Sequence, residues 1–107
     1  MIAIEFYLTA SGRSPVAEYV QALPLDERAE IDAVLVDLAA HGLKAPLVSM
    51  RQIEGKLWEL RIPPRTRIFY VMIEGTRMIL LHAYKKQSQK APPREIETAR
   101  RRMAAFI

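Results

Sequence analysis

Cysteine is absent from the 107 residues, which excludes a disulfide scaffold and a thiolate metal site. Histidine is scarce: only His41 and His82 occur. With no cysteine beside them, a zinc finger is excluded too. No apolar run approaches the roughly 18 residues of a membrane span. The start, Met1-Ile2-Ala3-Ile4-Glu5, has no basic residue and carries an early acid, unlike a signal peptide. A cytoplasmic protein without membrane association is the expectation. The glycine-rich phosphate loops, the dinucleotide fingerprint and the nucleophile elbow are all missing. No spacing of carboxylates argues for glycoside chemistry, and only His82 and scattered glutamates in the sheet region offer metal ligands. No cofactor is expected.

What is present is an ordinary globular composition. Apolar residues make up 50% and charged residues 26%, enough to fold one domain spanning residues 1–107. The charge is unevenly spread. Residues 1–54 hold four bases and eight acids, and residues 55–107 hold twelve bases and four acids. A basic face is the expectation, and a polyanion is its simplest partner.

The pattern along the chain changes period twice. Ile2, Ile4, Phe6 and Leu8 alternate with polar neighbours, as in a half-buried strand. Ser14-Pro15 reads as an N-cap with proline at the first helical position, opening a helix that Pro24 ends at about Leu23. Asp26-Glu27 starts a second helix whose stripe is Ile31, Val34, Leu35 and Leu38, with His41 in a structural place before Gly42. Four strands follow, about 48–53, 57–62, 67–73 and 78–84, separated by Glu54-Gly55, Pro63-Pro64 and Glu74-Gly75-Thr76. Lys85 to Lys90 is a basic loop. Pro92-Pro93 opens a last helix with the stripe Ile96, Ala99, Met103 and Phe106, and Arg100, Arg101 and Arg102 lie largely off it. The order β-α-α-β-β-β-β-α implies an α+β domain. It is an antiparallel twisted β-sheet with helices on one face, two N-terminal and one C-terminal.

Arginine and lysine concentrate on the strands and their connections. Trp58, Leu60 and Ile62 share one face of their strand as core residues, so Arg61 points away from that core. Antiparallel strands bring residues near 67 beside residues near 85. Arg61, Arg65, Arg67, Lys85, Lys86 and Lys90 therefore form a cationic cluster at one end of the sheet, with Tyr70 and Tyr84 nearby in sequence. Such a cluster suits phosphodiester chemistry on RNA, where the ribose 2′-OH is the nucleophile and guanidinium groups stabilise charge on the phosphorus oxygens. A lysine among other cations is suited to exchanging protons. On these grounds alone, a binding patch without catalysis stands beside cleavage.

Several segments together resemble the RelE/ParE toxin superfamily, in its HigB-like, phage-derived branch. They are Gly55-Lys56-Leu57-Trp58-Glu59-Leu60-Arg61, Arg67-Ile68-Phe69-Tyr70, Leu80 to Pro92, and Glu95-Ile96-Glu97-Thr98-Ala99. The likeness runs through residues 48–104 and reaches the first half by pattern only. It implies a RelE-like fold and the toxin of a toxin–antitoxin pair. The implied activity is ribosome-dependent cleavage of mRNA without a metal. The implied partners are the ribosome, mRNA and a helix-turn-helix antitoxin in a hetero-oligomer. Carried over by residue, Arg61, Arg67, Lys85 and Lys86 are the catalytic set. The residues expected to contact RNA are Lys56, Arg65, Tyr84, Lys90 and Arg94, of which Lys90 and Tyr84 match the family pattern, Tyr84 keeping the ring for base stacking. The sequence departs from the pattern at Gln87-Ser88 and Ala91, which replace threonines. Leu57 and Glu59 stand where some members carry a lysine pair. His82 reads as structural. Two other readings compete: a ParE-like toxin that binds DNA gyrase without catalysis, and a basic RNA-binding module.

Overall fold

The computed structural model describes residues 1–46 and 48–107. Alternation at the N-terminus gives β1 (Ala3–Phe6). Helix α1 (Pro15–Gln21) starts where expected, with the Ser14 hydroxyl accepting from the Ala17 N–H at 3.2 Å and Pro15 at the first position. Helix α2 (Leu25–His41) has Asp26 and Glu27 in its first turn and ends at Gly42, whose φ of 67° favours glycine. His41 bonds Asp37 one turn back, at 2.9 Å on the surface. A single 3₁₀ turn, Gly42–Lys44, precedes β2 (Met50–Glu54), β3 (Leu57–Ile62), β4 (Thr66–Ile73) and β5 (Arg77–Lys85). Helix α3 (Pro93–Met103) closes the chain.

The five strands form one sheet in the order β1-β5-β4-β3-β2. Strands β2 to β5 are the expected antiparallel meander. Strand β1 joins β5 in parallel, and Arg77 grips the Glu5 carboxylate with two bonds of 2.6 and 2.8 Å. The turn between β4 and β5 has two residues in left-handed conformation, Glu74 at φ 54° and Gly75 at φ 73°. The Thr76 N–H donates to the Ile73 carbonyl across it. That geometry matches the twist of the flanking strands.

Two cores lie on opposite sides of the sheet. On one side Leu60, Ile62, Ile68, Tyr70, Met78 and Leu80 meet Val16 of α1 and Ile31, Val34 and Leu38 of α2. On the other, Leu57, Phe69, Val71, Ile79 and Leu81 meet Ile96, Ala99, Met103 and Phe106 of the C-terminal segment. Each fully buried Leu, Ile, Val, Met or Phe among them stabilises the fold by about 1.5–3 kcal/mol. The α+β class holds, but the helices do not share one face: α3 covers the face opposite α1 and α2. The reason is in β4 and β5. Ile68-Phe69-Tyr70-Val71 and Met78-Ile79-Leu80-Leu81 are continuous apolar runs, so both of their faces need cover.

Two further expectations are corrected. Trp58 shares the face of Leu60 and Ile62, but it lies beyond the reach of the helices and is 37% exposed. It lines an apolar recess of about 430 Å³ with Leu43, Met50, Lys56, Tyr70 and Met72. Arg102 does not lie off the buried stripe. Its guanidinium donates to the Leu81 carbonyl at 2.9 Å and sits 5.2 Å from the centre of the Tyr7 ring.

Candidate functional site

The free end of the sheet, on the α3 face, is built from two rows of side chains. Register sets the first row: Arg61 on β3 opposite Arg67 on β4, and Arg67 opposite Tyr84 on β5. The second row runs Arg51 on β2, Glu59 on β3, Phe69 on β4 and His82 on β5. Thus residues 67 and 84–85 are neighbours, as the meander requires. The Lys86 N–H donates to the Arg65 carbonyl at 2.7 Å, which joins the two connections beyond the strand ends.

Arg67 sits at the bottom of this end, 8% exposed, and donates to the Thr66 carbonyl at 3.1 Å. It shares a cavity of about 380 Å³ with Arg61, Ser49, Pro63 and Pro64. Among the described residues Arg61, Arg65, Arg67, Lys85, Lys86 and Lys90 have no acidic partner, whereas Arg13, Arg77 and Arg100 are spent on surface glutamates. Of these, Arg61 and Arg67 are cross-strand neighbours lining one cavity, and an unpaired cation pair so placed suits an anion.

A buried polar centre underlies the cations. Glu59 is fully buried and accepts from the Tyr84 hydroxyl at 2.9 Å and from Arg51 at 3.5 Å. The Tyr84 ring stacks on Phe69 with centroids 5.4 Å apart, and His82 lies beside both, 6.3 Å from Phe69 and 6.4 Å from Tyr84, with the three ring planes nearly parallel. His82 Nε2 lies 2.7 Å from Glu95, and Arg102 reaches Nδ1 at 3.3 Å. The guanidinium has only protons to offer, so Nδ1 accepts and Nε2 carries the hydrogen. Both ring nitrogens are occupied, in keeping with a structural His82.

The other sequence-derived residues separate. Tyr84 is 8% exposed with one ring face on Phe69, so it does not present the ring for base stacking; its place in the site is through the hydroxyl. Lys85 pairs with Thr66, whose hydroxyl bonds Tyr19 of α1 at 2.9 Å, so Lys85 belongs to the opposite face from Arg67. Lys56 lies in the β2–β3 turn, at the other end of β3 from Arg61, beside Trp58. Arg94 is exposed in the first turn of α3. Lys90 lies with Arg51, Gln52, Ile53, Ala91 and Ile96 around a second cavity of about 330 Å³. Sequence reasoning passed over Arg51 and Glu59. The available signal was parity: Glu59 shares its face with Leu57 and Arg61, and the apolar runs of β4 and β5 already required that face to be covered.

Burial, the hydrogen bond to Glu59 and the charge of Glu59 hold the Tyr84 phenol above its ordinary value, against weaker pulls from Arg67 and Arg51. Burial alone pushes Tyr70 up to about 12 from 10.0. Both groups keep their protons better folded than unfolded. Their contribution to stability is therefore complete below about pH 10 and is lost as the pH rises toward 12 and beyond. Urea midpoints measured from pH 8 to pH 11.5 should fall steeply above pH 10. The fall should flatten in Tyr84→Phe; an equally steep fall in that variant would remove Tyr84 as its cause.

Among the described residues no three His, Asp or Glu side chains converge as metal ligands, and no helix is long and apolar enough to cross a membrane. The family model described as phage derived protein Gp49-like (DUF891) matches residues 18–104. Comparison with curated proteins gave no significant match. Among solved structures, a copper-bound point mutant of a toxin from Helicobacter pylori aligns with a TM-score of 0.53 at 18% identity. The alignment covers 79% of this chain and 94% of that one. At that identity the likeness establishes the fold.

Proposed function

Because this chain belongs to the phage-derived Gp49-like family, a RelE/HigB-type toxin family, we propose that it is a ribosome-dependent mRNA endoribonuclease, the toxin of a toxin–antitoxin pair. The observation that carries this reading is the cross-strand pair Arg61–Arg67, free of carboxylates and open to a cavity at the sheet end. In this reading the ribose 2′-oxygen attacks phosphorus and the bond from phosphorus to the 5′-oxygen breaks. A 2′,3′-cyclic phosphate and a 5′-hydroxyl result, so one proton leaves the 2′-OH and one reaches the 5′-oxygen. The two guanidiniums meet the charge that grows on the phosphorus oxygens. Lys86, whose backbone N–H bonds the Arg65 carbonyl just beyond the strand ends, is the proton-exchanging group in this reading. A small sheet offers few groups to align the 2′-OH for in-line attack. Alignment is worth up to about 7–11 kcal/mol, and the ribosome supplies it.

Induced expression followed by parallel assays of translation and DNA supercoiling tests this. The expected result is arrested translation, cuts confined to translated mRNA and unchanged supercoiling. Co-expression of an adjacent helix-turn-helix partner should restore growth. Altered supercoiling with intact mRNA would replace the reading by a gyrase poison. RNA binding without arrest would leave a basic RNA-binding module.

A further inference from the structure

We propose that the cleft contains a second nucleotide subsite, in which Arg51 and Lys90 hold a phosphate and Ile53, Ala91 and Ile96 seat a base, next to the scissile linkage of single-stranded RNA. The proposal rests on the RNA-cleaving reading and adds to it how much substrate the protein itself grips.

Register puts Arg51 opposite Glu59, and Glu59 is one same-face step along β3 from Arg61. Same-face residues on a strand repeat at about 7 Å, a spacing that lets neighbouring phosphates of an extended strand meet successive rows. The buried Glu59 carboxylate reaches Arg51 at 3.5 Å, while the Arg51 side chain stays 42% exposed. The guanidinium is thus oriented from below and keeps N–H groups free for a ligand. Lys90 has no acidic partner among the described residues and faces the same cavity of about 330 Å³. The site is a shallow, open depression, a shape that suits an extended chain lying across it. Its lining has two cations, the amide of Gln52 and aliphatic walls, which offers charge to a phosphate and apolar surface with one amide to a base. No aromatic ring lines it, so it selects by shape and charge rather than by stacking. Strand β2 is an edge of the sheet, so no further strand blocks the exit of the chain.

Single-stranded oligoribonucleotides carrying 2′-O-methyl groups, which cannot be cut, are the probe. A dinucleotide reaches one row and a tetranucleotide reaches both. Titrations followed by NMR at several salt concentrations should show the tetranucleotide binding about tenfold more tightly to the wild-type protein. Arg51→Gln and Lys90→Gln should each remove most of that advantage. Each should also lower the slope of log affinity against log salt by about 0.7, the single-strand value for one cation. Dinucleotide binding, carried mainly by the Arg61–Arg67 row, should fall by much less than tetranucleotide binding in either variant. Lys90→Gln touches no buried group, so it stands if Arg51→Gln folds poorly. Equal binding of the two lengths by the wild type, or full tetranucleotide affinity in Lys90→Gln, would overturn the subsite. If Arg67→Ala also bound both lengths like the wild type, the RNA-cleaving reading would fall with it; loss of both in Arg67→Ala alone would leave that reading standing without the subsite.

Discussion

Arg67→Lys should lower single-turnover cleavage on programmed ribosomes by about 100- to 1,000-fold, while the protein still folds and binds its antitoxin. Arg67 lies low in the cleft, gives one N–H to the Thr66 carbonyl and has no other acceptor among the described residues. A guanidinium so placed can offer a phosphate two parallel bonds, and an ammonium cannot reproduce that fork. Losing one preorganised donor to a developing oxyanion costs about 2.7–4 kcal/mol. Lysine keeps the charge and much of the length, so the comparison isolates geometry. Wild-type cleavage by the variant would make the Arg61–Arg67 pair a docking surface and not a catalytic one.

Phe69→Ala should destabilise the fold by about 3–5 kcal/mol, the cost of emptying a buried phenyl site. Phe69 is completely buried in the middle of β4 and carries Tyr84 and His82 stacked against it. Removing the ring takes away the common support of two groups from the site. Tyr84 would lose the surface that aims its hydroxyl at Glu59, and a buried carboxylate that loses a donor adds to the cost. Urea unfolding followed by circular dichroism is the measurement. A change under about 1 kcal/mol would show that the stack collapses onto the gap and that Phe69 does not organise this end of the sheet.

The meander and its cationic end were legible because antiparallel neighbours follow from chain order alone. Arg67 beside Tyr84 and Lys85 needs no more than that. Which face α3 covers was less accessible. Its stripe of Ile96, Ala99 and Met103 states that one side is buried, but not against what. The split of Lys85 from Lys86 follows from strand alternation, which twin residues obey whatever chemistry they share. Tyr84 was misplaced because an aromatic at a strand end fits both stacking on a base and stacking on Phe69. Glu59 was passed over because a carboxylate in an alternating strand normally meets water. Here the second face is covered, and Tyr84 and Arg51 take water's place.

The pairing of β1 with β5 also sets an order of events during synthesis. Ala3 to Phe6 find their register against Arg77 to Leu80, more than seventy residues later. Closing so long a loop must precede any gain from the pairing, which slows this contact relative to local ones. At about 5–20 residues per second, several seconds separate the synthesis of the two strands. Throughout that interval the cleft has no Tyr84, no Lys86 and no fixed place for Arg67. A nascent chain that has not yet delivered β5 has no assembled site, and the finished sheet arrives almost together with the loop and helix that follow it.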